Sequence, residues 1–236
     1  MSFKPELLAL LIIMAFGVLL YLAIRTSRKI TAKKNHQAQT MGFDALNEPP
    51  PQLASRVDEV FKRSDQKAVY IDEIFSKQEG NRELFIFDIQ DSSDDDNEMG
   101  SEVFGMITSE LDLPRFSLTT LPGFSSDSFL GGIMDKLLDK VLSLAEKYQG
   151  MSRIEIPNPD FGDQVIVFGS DEIAVRELMR GIHLSTLTRS QSPIHIAGKG
   201  DFITVDFSLP SSYGSNENDL ISQFQHFTQI SRSFMK

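Results

Sequence analysis

Cysteine is absent from the 236 residues. That absence excludes a disulfide framework, a thiolate metal site, a cysteine nucleophile and lipid attachment through sulfur. It leaves the redox compartment undetermined. Tryptophan is also missing, and histidine is sparse, at positions 36, 183, 195 and 226. No two histidines stand at metal-ligand spacing, and H-E-x-x-H does not occur. G-x-S-x-G is missing as well: Gly123-Phe124-Ser125-Ser126-Asp127 shares only its composition. Gly198-Lys199-Gly200 has neither the leading glycine nor the trailing Ser/Thr of a phosphate loop, and reads as a hairpin turn. No cofactor, metal or catalytic residue is assigned from these patterns.

Net positive charge is confined to one place. The first 34 residues carry Lys4, Arg25, Arg28, Lys29, Lys33 and Lys34 against Glu6, a local +5, so a total of −10 leaves −15 on residues 35–236. An acidic body of that size repels phosphate backbones, which argues against nucleic acid as a partner.

What the sequence does have is one long apolar run. Leu7 to Ile24 contains no charge and no proline. As a helix its eighteen residues would span about 27 Å, close to the ~30 Å of bilayer hydrocarbon. A cleaved secretory signal carries its charge before a shorter apolar core and ends on small residues. Here the charge follows the core, and the exit reads Tyr21-Leu22-Ala23-Ile24-Arg25. The reading is a retained single-span transmembrane helix over 7–24 with a tail at 1–6 outside the cytoplasm. The cations Arg25, Arg28, Lys29, Lys33 and Lys34 hold the carboxyl-terminal side in the cytoplasm and contact the membrane surface.

Residues 25–66 then read as a basic juxtamembrane segment, a spacer over 35–52 ending in Pro49-Pro50-Pro51, and a short amphipathic helix carrying Leu53, Val57, Val60 and Phe61. Its apolar face is expected to pack on the body. A soluble domain over 67–236 follows. Val69–Phe75 and Glu83–Ile89 form a predicted hairpin, and ELFIFDI is apolar on both faces, as a central strand would be. Two more strands are expected at 103–110 and 115–121, broken at Pro114. Residues 133–148 repeat apolar side chains at helical spacing. Strands at 153–156 and 164–168 precede a helix capped by Ser170 and closed by Gly181. A hairpin at 194–197 and 202–207 and a last amphipathic helix bearing Leu220, Phe224, Phe227 and Phe234 complete an α+β fold. The expectation is a mainly antiparallel sheet with about three helices on one face.

Three candidate sites attract and fail. The acidic stretch at 91–102 invites a calcium reading. A loop starting at Asp95 puts Met99 fifth and Met106 twelfth, where carboxylates are required, so a solvated loop is expected. Glu110 with Asp112, and Glu155 with Asp160, are carboxylate pairs of a kind that 33 acidic residues produce by chance. His195 lies between Ile194 and Ile196 in a strand and is expected to face solvent or a sheet edge.

From Leu113 onward, Leu113-Pro114-x-Phe116-x-Leu118, then Ile154-x-Ile156, Phe161 and Val165-x-Val167-x-Gly169-x-Asp171-Glu172-x-x-Val175-Arg176-x-Leu178, the chain resembles a family of uncharacterised bacterial membrane-anchored proteins. The resemblance covers roughly residues 105–210 and implies a membrane segment ahead of a soluble α+β domain, with no activity and no functional residue attached. The acidic stretch at 91–102 departs from it. The function expected from the whole sequence is a membrane-anchored, non-catalytic module that binds another protein through its cytoplasmic domain. A domain holding an apolar or lipid ligand is the alternative, and a carboxylate enzyme ranks last.

Overall fold

The computed structural model describes residues 5–61, 69–91, 101–120, 151–156, 165–182, 187, 194–207 and 219–235. The sequence readings at 92–100, 121–150 and 157–164, including the helix at 133–148, lie outside them. Two compact units are present, Met1–Phe43 and Asp44–Lys236.

The first unit is one helix, α1, Pro5–Thr40, 36 residues and so about 54 Å long. The expected spacer therefore begins six residues later than the sequence suggested. Asn35–Thr40 contains no proline or glycine, and extending an existing helix costs far less than nucleating one. Termination comes at Gly42, whose φ of +82° only glycine adopts freely. The Phe43 N–H donates to Ala38 O at 3.0 Å and the Gly42 N–H to Gln39 O at 2.9 Å, the paired bonds of a Schellman motif. Among the described residues no helix is long and apolar enough to cross a membrane. Most side chains of residues 7–24 lie outside the described set.

The second unit is built on a nine-stranded antiparallel sheet. Its strands are β1 Asp44–Leu46, β2 Val69–Glu79, β3 Arg82–Asp91, β4 Ser101–Thr108, β5 Leu113–Thr120, β6 Ser152–Ile154, β7 Val165–Gly169, β8 His195–Gly200 and β9 Phe202–Asp206. They lie in the order β1-β2-β3-β4-β9-β8-β5-β7-β6. The hairpin β8–β9 is inserted between β4 and β5, two strands adjacent in sequence. Its two-residue turn starts at Gly200, φ +59°. Both edges are three-residue strands, which limits open pairing surface. Pro114 does not break a strand: it lies in β5 where the register against β8 shifts between Leu113 and Phe116, a place that tolerates its missing N–H.

Helices cover both faces, not one. On the first face α2, Pro51–Phe61, sets Leu53, Val57 and Val60 against Phe85, Phe87, Val103, Ala197 and Phe202. Pro51 takes the first helical position, so the proline triplet starts a helix where an extended rod was expected. On the opposite face α4, Leu220–Arg232, stacks Phe227 on Phe104 with ring centroids 5.7 Å apart, and beyond it Phe234 stacks on Phe116 at 5.4 Å. Also there is α3, Glu172–Arg180, whose cap is Asp171 instead of Ser170. The Asp171 carboxylate accepts from the Ile173 and Ala174 N–H groups.

α2 also carries ions. Arg56 pairs with Asp201 at 2.7 Å and with Glu59 at 3.1 Å, and Lys199 reaches Glu59 at 3.1 Å. These groups are about one-third exposed, so each pair contributes roughly 0–1 kcal/mol, against about 1.5–3 kcal/mol for each buried apolar side chain. The apolar stripe docks the helix; the ions set its azimuth.

Two predictions follow from this packing. A Cβ at Gly169 would lie 2.6 Å from Val175 Cγ2 and 2.8 Å from Ile154 Cδ1. Gly169→Ala should therefore lower unfolding stability by about 1–3 kcal/mol, read from denaturant midpoints by circular dichroism. Glu59 is held below the ordinary carboxylate range, first by its hydrogen bond from Lys199 and then by the charges of Lys199 and Arg56, with burial opposing. A depressed folded value contributes stability above the unfolded one, lost as pH falls through the folded value. Glu59→Gln should cost about 0.2–1 kcal/mol at pH 7, and the cost should shrink as pH falls below the ordinary carboxylate range in the same assay.

Candidate functional site

Among the described residues, nucleophile, imidazole and carboxylate meet in the middle of the sheet. β8 pairs with β5 so that His195 stands opposite Thr119, and with β9 so that it stands opposite Asp206. Ser117, two residues before Thr119 on the same face, is hydrogen-bonded through Oγ to His195 Nε2 at 2.7 Å. His195 is therefore central, not at an edge or in water as its sequence context suggested. It is 6% exposed and Ser117 3%. Burial pushes the imidazole below its ordinary pKa, with the neighbouring Asp206 charge acting the other way. Burial thus favours the neutral ring, which offers one donor and one acceptor.

Ser, His and Asp side by side have the composition of an acyl-transfer site, but that chemistry needs an Oγ that a substrate can reach and free donors for an oxyanion. Here Oγ is enclosed, and Ser117 is paired with Phe168 on β7 and with Ala197 on β8. Nearby hydroxyls serve the sheet in the same way: Thr204 Oγ1 donates to Ala197 O at 3.1 Å, and Thr120 Oγ1 accepts from the Ile194 N–H at 3.0 Å. The arrangement is a polar tie across β9, β8 and β5.

The other candidates separate. Glu110 accepts from Asn81 at 3.0 Å and Arg82 at 2.7 Å, which lower its pKa and fasten the β2–β3 turn, so its carboxylate is committed to structure. Glu155 is exposed and Asp160 lies outside the described residues. His36 is exposed on α1, His226 packs on Phe207 with centroids 5.5 Å apart, and His183 is outside the description. Among the described residues no three His, Asp or Glu side chains are placed to hold a metal ion. Of the five cations that the sequence places at a membrane surface as an expectation, Arg25, Lys29 and Lys33 are exposed, Lys34 is buried at 9% exposure, and the Arg28 side chain lies outside the described residues. Phe104, Phe207, Phe224 and Phe227 meet ring to ring where α4 packs on the sheet, with centroids 5.6–6.4 Å apart.

No protein-family model matches the chain, and no curated protein does. Among solved structures it is similar to the mycobacterial trehalose monomycolate transport factor A, with a TM-score of 0.49 and 13% identity over 87% of this chain and 94% of that one. That degree of likeness carries no functional weight.

The polar tie is testable by a double-mutant cycle. Ser117→Ala and His195→Ala should each destabilise the fold by about 1–3 kcal/mol. The double variant should fall short of their sum by about 0.5–3 kcal/mol in denaturant titrations; strict additivity would mean the two side chains are energetically independent.

Proposed function

We propose that the chain is a single-span membrane-anchored protein whose α+β body sits in the cytoplasm and works by binding another protein, without catalysis. One observation carries the anchor: α1 runs unbroken from Pro5 to Thr40, joining the apolar residues 7–24 to the cationic turns in one helix. An apolar stretch of that length partitions into lipid by about −4 to −7 kcal/mol as an upper figure. With cations concentrated after it, the positive-inside rule keeps the body in the cytoplasm. Arg25, Arg28 and Lys29 are the first cations past Ile24 and the ones within reach of headgroups.

Binding without catalysis is supported by the enclosure of Ser117 and His195. The large apolar side chains exposed on the body, among the described residues, are Tyr70 on β2 and Ile173 on α3. They are single residues on separate elements, and the binding surface proposed is a polar one drawn from the body's −15 charge.

The cysteine-free chain makes the topology directly measurable. Ser2→Cys should react with an impermeant maleimide on intact cells, Lys236→Cys only after lysis, and the protein should pellet with membranes through alkaline carbonate. Labelling of Lys236→Cys on intact cells, or recovery in the soluble fraction, would overturn the proposal.

A further inference from the structure

Beyond Ile24 the helix has two unlike sides. Thr31, Lys34 and Ala38 fall on one side and are half-buried or buried. Arg25, Lys29 and Lys33 fall on the other, at i, i+4 and i+8, within an arc of roughly 80°, and all three are exposed. None of the three forms an ion pair among the described residues. The stripe continues through exposed His36 and Thr40 to the end of α1.

Direction decides what this stripe fits. Its cations climb the helix in steps of about 6 Å, so Lys33 lies about 12 Å beyond Arg25. A helix crossing the bilayer points them along the membrane normal, and a tilt of about 20° changes that by less than 1 Å. The headgroup layer is only about 5–8 Å deep per leaflet. A lipid surface therefore meets Arg25 and Lys29 and leaves Lys33 in water. A second copy of α1 side by side would bring like charges together. A helix running alongside with carboxylates at i, i+4 and i+8 has the same 6 Å repeat and the opposite sign. Resting on the anchor reading above, we infer that Arg25, Lys29 and Lys33 form a docking stripe for an acidic juxtamembrane helix of another membrane protein.

The test uses the full chain in vesicles of zwitterionic lipid, carrying one donor dye on Gln39→Cys. The probe is a designed single-span peptide with Glu at three successive i, i+4 positions just outside its apolar segment, carrying the acceptor; its Gln counterpart is the control. Energy transfer should be severalfold higher for the Glu probe than for the Gln probe. It should vanish near 1 M salt, where the Debye length is about 3 Å. It should fall by about three- to thirtyfold in apparent affinity in the Lys29→Gln/Lys33→Gln variant, with Arg25 and Arg28 retained to hold orientation. Equal transfer to both probes, or an unchanged double variant, overturns the stripe while leaving the anchor intact. If Lys33→Gln weakens only binding to vesicles doped with anionic lipid, the occupant is the bilayer and the protein partner is wrong. A chain that floats free of the vesicles overturns the anchor, and the stripe with it.

Discussion

The sheet depends on one late insertion. β4 and β5 are separated by only four residues, yet the space between them is filled by β8 and β9, which come about 75 residues later. Until the hairpin at 195–206 arrives, each half of the sheet has an open edge, β4 on one side and β5 on the other. Closing that gap over a long stretch of chain costs loop entropy before any contact repays it, which places this fold among the slower topologies.

The residues around the insertion fit that requirement. Phe202, Ile203 and Val205 are fully buried, because a central strand is covered on both faces. Gly105 lies beneath the rings of Phe87 and Phe202, and Gly198 beneath Leu113 and Phe116, so a side chain at either glycine would hold the hairpin off its neighbours. The Ser117–His195 bond crosses the β8–β5 seam on one face, while Thr120 accepts the Ile194 N–H at its end. A register slip of one residue would send the imidazole to the opposite face and leave it unsatisfied. α2 and α4 then seal the two faces, the first by aliphatic residues and the second by stacked phenylalanines.

Much of this was legible locally and little of it globally. ELFIFDI announced a central strand because four successive apolar residues make sense only under cover on both sides, and Leu84 to Phe87 are buried. The α2 stripe and the two hairpin turns were equally plain, since 3.6-residue periodicity and glycines at turn positions are short-range signals. Pairing across distance was not. His195 between two isoleucines reads the same at an edge or a centre; only its opposition to Thr119 and Asp206, set by strand order, makes it a buried tie. Ser117 and Thr119 in RFSLTT did show a hydroxyl-bearing face, the one sequence hint that a polar partner would be met inside. Helices on both faces were missed because amphipathicity tells which side of a helix is apolar, not which side of a sheet it lands on. The helical continuation through Asn35–Thr40 was missed because polar composition alone does not end a helix; Gly42 does.

Native-state hydrogen exchange tests the insertion most directly. If β8 and β9 close the sheet, the amides of Ile196, Ala197, Ile203 and Val205 should exchange only by global unfolding, with the same protection and denaturant dependence as those of Phe104 and Leu118 on the flanking strands. Exchange of the hairpin amides through a separate opening of much lower free energy, while β3 and β4 remain fully protected, would contradict it.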